Sequence, residues 1–237
     1  MVFATDARFQ TTVCAARGKD KVLEVSSPQF GWTRAYRVKV VDSAAVVVEL
    51  EAANEGAANP YVETTLKNVI ALALAKDRAK AEAALAAGLA IEILGANDFY
   101  SQRDEVARRG LPLTYDSLKS LPKFCVSPAA SPASIRKTGL GSSAALITSL
   151  TGALMVVLGT VSADCSGPGN LAFVHNVAQF CHCLAQGKIG SGFDVSSAVY
   201  GSHKYRRFSP SVIAHLLALV QCPRKIILPL RMHILGG

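Results

Sequence analysis

Two glycine-rich stretches carry the residue types that can do chemistry in this chain. The first runs Arg136, Lys137, Thr138, Gly139, Leu140, Gly141, Ser142, Ser143, Ala144, Ala145 and opens an apolar run from Leu146 to Leu158. Glycines two apart let a backbone turn tightly and bring N–H groups close to an anion, and the serines then start a helix whose positive dipole end faces the same point. The pattern is that of a phosphate cradle. The second stretch, about fifty residues downstream, runs from Gln186 through Gly187, Lys188, Ile189, Gly190, Ser191, Gly192 and Phe193 to Asp194. It supplies a lysine and a carboxylate where the first supplies backbone donors.

Several chemistries compete for these residues. A Walker A loop is excluded, because no lysine follows the second glycine and the four-residue gap between glycines is absent. A dinucleotide fingerprint fits the letters Gly139-x-Gly141-x-x-Ala144, with Asp164 roughly 20 residues on. Its context is poor, since Asp164 follows a helix rather than ending an apolar strand. The third candidate is an ATP loop of the Gly-Leu-Gly-Ser-Ser-Ala-Ala type. Structural roles stand beside these: Asp194 sits where the N-cap of a short helix would be, and Ser142 and Ser143 suit caps as well. Cys181, His182 and Cys183 suggest a metal, but three consecutive helical residues point around the helix rather than converging. His175 reads as a satisfied helix-face histidine.

The elements that must position these residues can be traced by pattern. Near-alternating β-branched and aromatic residues at 7–13, 22–26, 34–41 and 45–50 predict four strands. Asn59-Pro60 predicts a capped helix start, with Val62, Leu66, Val69, Ile70 and Leu74 at helical spacing, and alanine-rich 79–87 continues as helix. Residues 89–94 read as a buried strand ending at Gly95, and 97–102 as a polar loop exposing Tyr100. Pro112 and Pro122 bracket a short helix over 115–118, and 127–134 reads as a surface loop. Helices over 144–158, stopped by Gly159, and 171–186, ended by Gly187, flank a turn over 163–169. In the second of these helices Phe173, Val177, Phe180 and Leu184 share one face. The order of elements predicts an α+β domain.

Composition narrows the partners. The chain has 237 residues, 50% of them hydrophobic, enough for a substantial core. No stretch reaches the roughly 18 apolar residues of a membrane span, and no signal-peptide pattern opens the chain, so neither membrane nor secretion is expected. Six cysteines without a regular framework read as reduced thiols. The net charge of +8 suits an anionic partner. No aromatic residues interleave with the basic ones as a nucleic-acid platform requires, and Arg34/Arg37/Lys39 and Arg108/Arg109 read as solvated surface.

Residues 137–145, taken with 178–200 and 201–208, closely resemble the phosphomevalonate kinase family of the galactokinase, homoserine kinase, mevalonate kinase and phosphomevalonate kinase (GHMP) superfamily, above all its plant-like members. Asn97–Ser101 and Gly110–Thr114 fit the same pattern. The resemblance implies ATP-dependent phosphorylation of 5-phosphomevalonate in the mevalonate pathway, with Mg²⁺, in the cytoplasm or peroxisome. It implies that Lys137, Thr138, Gly139, Leu140, Gly141, Ser142, Ser143, Ala144 and Ala145 bind ATP, with Ser142 or Ser143 as Mg²⁺ ligand. Asp194 and Lys188 are then catalytic, and Ser191, Gly192, Lys204, Arg206 and Arg207 bind the acceptor. Residues 1–210 are expected to form a GHMP-kinase N-terminal domain of the ribosomal protein S5 domain 2-like type, with 211–237 a divergent tail. A Pro-Gly-Lys first strand and the C-terminal domain are expected to be missing, and little turnover is therefore expected of these residues alone. Mevalonate kinases also carry a glutamate metal ligand near the position of Cys183, which leaves the second Mg²⁺ ligand unassigned.

Overall fold

The structure, a computed structural model, describes residues 1–16, 21–42, 47–53, 57–126, 135–164, 167 and 169–221. The expected loop over 127–134, parts of the strand over 45–50 and of the turn over 163–169, and the end of the tail lie outside the described residues.

Five strands form one sheet: β1 (Phe9–Ala15), β2 (Val22–Ser27), β3 (Trp32–Asp42), β4 (Val47–Ala52) and β5 (Leu89–Gly95), in the order β1-β5-β2-β3-β4. The pairs β1/β5, β2/β3 and β3/β4 are antiparallel, and β2/β5 is parallel. β2 alternates half-buried and buried residues, as a strand with one face on a core must. The chain leaves β4 through helices α1 (Pro60–Lys76) and α2 (Arg78–Ala86) and returns as β5 between β1 and β2. A dinucleotide fold needs a doubly wound parallel sheet with the glycine loop leaving a strand. Here three of the four pairings are antiparallel, and that reading of Gly139 and Gly141 loses its context.

The expected start of α1 is met. Asn59 Oδ1 accepts from the N–H groups of Tyr61 (3.1 Å) and Val62 (3.4 Å), and Pro60 takes the first helical position. The helix does not run on through the alanine-rich segment, because Asp77 at φ −150° ends α1 and caps α2, its Oδ1 accepting from Lys80 N–H at 3.1 Å. Tyr100 is not exposed. It lies half-buried against Phe9 and Phe30, and burial raises its pKa above the ordinary tyrosine range. Gln29 locks the neighbouring turn to the sheet: its amide nitrogen donates to the Gly95 carbonyl (2.9 Å) and the Cys125 carbonyl (3.2 Å), and its amide oxygen accepts from Gly95 N–H (2.6 Å).

Two short helices follow, α3 (Arg103–Arg108) and α4 (Tyr115–Lys119), of which the sequence pattern predicts only the second. The arginines of α3 are not merely solvated, since Glu105, buried beneath them, accepts two hydrogen bonds from Arg108 (2.8 Å each) and one from Arg109 (2.7 Å). Arg34 and Lys39 likewise pair, with Glu63 (3.4 Å) and Glu51 (2.8 Å). The long helices α5 (Ser142–Val157) and α6 (Asn170–Gln186) pack with α1 over the sheet, and α7 (Phe193–Tyr200) and α8 (Pro210–Gln221) follow. Ile147, Leu150, Leu154 and Met155 of α5 are fully buried, each worth roughly 1.5–3 kcal/mol on transfer from water. That packing fixes where the N-terminus of α5 stands. On α6 the buried residues are Val174, Ala178, Gln179 and Cys181 to Cys183, while Phe173, Val177, Phe180 and Leu184 flank them half-buried.

The Arg108 hydrogen bonds, with Arg109 behind them, hold Glu105 at a pKa of about 2 against an unperturbed 4.5, although its burial works the other way. A depressed carboxylate stabilises the fold above its unfolded pKa and loses that contribution as pH falls towards the folded value. Glu105→Gln should therefore cost about 1 kcal/mol at neutral pH, the scale of a partly exposed ion pair. The deficit should shrink as pH falls from 4.5 towards 2, as read by urea denaturation; a pH-independent deficit would contradict the pairing.

Candidate functional site

The glycine loop is held at both ends. On entry, Ser101 N–H donates to the Arg136 carbonyl (2.8 Å), Lys137 bridges to Tyr100, and Thr138 N–H donates to the Phe99 carbonyl (3.1 Å). The Thr138 hydroxyl donates to the Asp98 carbonyl at 2.6 Å, so this side chain anchors the loop. On exit, α5 begins at Ser142, and Ala145 N–H donates to the Gly141 carbonyl at 3.0 Å. Gly141 is the N-cap, at φ +77°, and neither serine side chain caps the helix. The first-turn N–H groups of Ser142, Ser143 and Ala144 have no carbonyl one turn earlier within the helix to accept them. They are donors for an anion at that end.

The second stretch delivers a carboxylate to the same place. Gly187, left-handed at φ +66°, ends α6, and Lys188 N–H donates to the Cys183 carbonyl at 3.2 Å. The N-cap of α7 is Gly192 at φ +79°, so Asp194 is the second helical residue rather than the expected cap. Its Oδ1 accepts from Val195 N–H at 2.9 Å. A side chain at Gly192 is impossible without movement, because a Cβ there would lie 2.5 Å from Gln179 Oε1 and 2.7 Å from the Phe208 ring. Tyr205 ties this loop to the following segment, its hydroxyl donating to the Ser191 carbonyl at 2.5 Å.

The two helix starts meet. A Cβ on Gly141 would stand 3.5 Å from Asp194 Cβ. Behind them, His182 of α6 is 3% exposed, and its Nε2 lies 3.2 Å from Ser143 Oγ, 3.2 Å from Gln186 Nε2 and 4.0 Å from Asp194 Oδ2. Burial lowers the His182 pKa, opposed by Asp194 and helped by the Lys188 charge. The oxygens of Ser143 and Asp194 are hard donors of the kind Mg²⁺ takes, and they fit such an ion. The sulfurs do not share this arrangement. Cys181 packs with Ala144 and Val195, its thiol pushed up to about 12 by burial, and Cys183 packs with Ile213 and Leu217.

Of the expected site residues, Gly141, Ser142, Ser143, Ser191, Gly192 and Asp194 cluster here. Lys188, Lys204, Arg206 and Arg207 are exposed along the second loop and the segment after α7, and Leu140 is 50% exposed at the loop tip. The Ala144 side chain is fully buried in the packing of the helix start, so only its backbone N–H is available there. Sequence reasoning misses three features. His182 reads there only as a metal ligand with its cysteine neighbours; its signal is the i, i+4 row Ala178, His182, Gln186. Beside the loop, a cavity of about 250 Å³ is lined by Phe30, Trp32, Tyr61, Tyr100 and Lys137 and bounded by Ser142 and Ser143. His175, expected to be satisfied, leaves its buried Nε2 without a hydrogen-bond partner among the described residues, and its ring lies tilted by 46° against Tyr200 at 5.4 Å.

The contrast between glycines is testable. Gly139 also has positive φ, but a Cβ added there would meet nothing within 4 Å, whereas Gly192 has both strain and collision. Gly192→Ala should lower stability by roughly 1–3 kcal/mol and Gly139→Ala by clearly less, measured by urea denaturation. Equal losses would contradict the packing at Gly192.

No protein-family model matches the chain, and no solved structure matches it. Among curated proteins, it is similar to the peroxisomal phosphomevalonate kinase of Arabidopsis thaliana, 39% identical over 240 aligned residues covering 90% of this chain and 47% of the relative. It is 41% identical to a phosphomevalonate kinase of Aspergillus fumigatus over 192 residues, 80% of this chain and 36% of that one. A Gibberella zeae phosphomevalonate kinase is 39% identical over 198 residues, 80% of this chain and 41% of its own. The chain thus spans less than half the length of each of these relatives. Over most of its own length the chain is similar to part of these phosphomevalonate kinases.

Proposed function

We propose that these residues form the phosphate-binding and acceptor-facing part of a phosphomevalonate kinase, a GHMP-type N-terminal domain that phosphorylates 5-phosphomevalonate to 5-diphosphomevalonate with ATP, in the cytoplasm or a peroxisome. The observation that carries the reading is the meeting of Gly141 and Asp194, 3.5 Å apart at the glycine's Cβ position, which sets a backbone anion cradle against a carboxylate. Phosphoryl transfer asks a protein mainly for positioning and for charge placed where charge develops. The N–H groups of Ser142, Ser143 and Ala144 supply fixed donors to the ATP β- and γ-phosphates. The cavity next to Ser142 and Ser143, lined by Phe30, Trp32, Tyr61 and Tyr100, offers apolar rings against which a planar base would pack.

Ser143 would hold Mg²⁺, which when bound neutralises phosphate charge. Asp194 faces the side from which an acceptor phosphate would approach. That nucleophile is already an anion, so Asp194 serves chiefly to orient it and to take up its remaining proton. Lys188, Lys204, Arg206 and Arg207 surround the approach with positive charge suited to the phosphate and carboxylate of the acceptor. No helix among the described residues is long and apolar enough to cross a membrane, and none is needed for a substrate this polar.

Displacement of a fluorescent ATP analogue tests the nucleotide half. ATP with Mg²⁺ should displace it and NADH should not. Gly141→Val should abolish binding while circular dichroism stays unchanged, because a β-branched residue is forced to φ +77° against Asp194. Binding retained in a folded Gly141→Val protein would contradict the cradle. For the acceptor half, ADP release that depends on 5-phosphomevalonate should fall by about 10²-fold or more in Asp194→Asn with ATP affinity kept. Equal loss of affinity and rate would make Asp194 structural.

A further inference from the structure

His182 has no part in the phosphate cradle as described, yet its Nε2 lies within 4.0 Å of side-chain oxygens at both helix starts. Its Nε2 receives two neighbours at 3.2 Å, Ser143 Oγ and Gln186 Nε2. An amide nitrogen only donates, so Gln186 requires Nε2 to be the unprotonated acceptor of a neutral ring whose proton sits on Nδ1. Against such a nitrogen Ser143 can act only as donor, its hydroxyl proton sharing the lone pair with the Gln186 amide in a three-centre contact. We infer that His182 is a positioning residue that holds the Ser143 proton inward, so that the Ser143 oxygen turns its lone pairs towards the hard cation accompanying a nucleotide polyphosphate.

A serine hydroxyl is an ambiguous partner, able to donate or accept as its rotor turns. At a cation only the lone pairs are useful, and a proton pointing outward would repel the ion. A buried acceptor behind the hydroxyl removes the ambiguity, as the hydrogen-bonded partners of metal ligands do elsewhere. The Asp194 carboxylate, 4.0 Å from Nε2, meets a lone pair rather than an N–H, so the imidazole does not compete for its oxygens. This inference rests on the proposed nucleotide site and adds the hydrogen-bond direction that makes Ser143 a ligand.

Two measurements test it. In the wild-type protein, a long-range proton–nitrogen NMR spectrum of labelled histidine should show His182 protonated on Nδ1 and bare on Nε2; an Nε2–H form overturns the inference. Binding of a fluorescent ATP analogue is then compared with Mg²⁺ and with EDTA. His182→Leu should lose about tenfold of the Mg²⁺-dependent affinity and little of the metal-free affinity, while His182→Gln, whose amide oxygen can accept from Ser143, should restore it. Ser143→Ala should match His182→Leu, which keeps the test decisive where the leucine variant folds poorly. Equal loss with and without Mg²⁺, or no loss in either variant, overturns the inference while leaving nucleotide binding intact. A wild-type protein that binds no nucleotide in either condition overturns the proposed function itself, and the inference with it.

Discussion

Two helix N-termini brought together repel, because each ends in unsatisfied N–H groups equivalent to a partial positive charge. In this chain α5 and α7 nevertheless start within contact of each other, with Gly141 and Asp194 at the junction. Asp194 answers the repulsion from within the chain, and an anion bound at the loop would answer it further. The junction holds because the bodies of the helices are fixed elsewhere: α5 is buried along Ile147, Leu150 and Leu154, and α7 through Val195 against Ala144 and Cys181. The packing core thus confers the positive field, and two glycines make it reachable. Gly141 gives the backbone its left-handed turn, and Gly192 passes under Gln179 and Phe208 where no side chain fits.

The surroundings follow the same logic of position. The turn before the loop is fastened by backbone pairing to 98–101, which is itself fixed to the sheet edge through Gln29 and the Phe9, Phe30 and Tyr100 rings. Residues far apart in sequence are therefore linked by hydrogen bonds and ring contacts to the glycine loop. On the other side, Tyr205 and Phe208 hold the Ser191–Gly192 turn, so the basic residues 204, 206 and 207 are carried on a segment tied to the loop they would serve.

Much of this is legible in the sequence where the signal is local. Alternation in 22–26 and 34–41 reveals two of the five strands because each has one face on the core, and Asn59-Pro60 marks α1 because capping and φ restriction act within a few residues. The glycine pairs point to the cradle for the same reason. What escapes depends on packing. The break at Asp77 is invisible because alanine-rich sequence propagates helix by propensity, while the chain must turn there to bring β5 back into the sheet. Asp194 resembles a cap until Gly192 takes that position in a left-handed conformation that favours glycine. His182 lies hidden between two cysteines, since nothing in adjacent residues tells that α5 and α7 both dock on that turn of α6. The aromatic cavity is assembled from five segments, none distinctive by itself.

If the N-terminal turn of α5 receives the phosphates of a nucleotide, its amides must feel the ligand first. Amide NMR of the labelled protein titrated with ATP and Mg²⁺ reads this directly. The largest shifts should fall on the N–H groups of Gly139 to Ser143 and Ala144, with secondary shifts at Asp194 and Val195. Saturable shifts confined to other regions, with those amides unmoved, would contradict a phosphate site at this helix start.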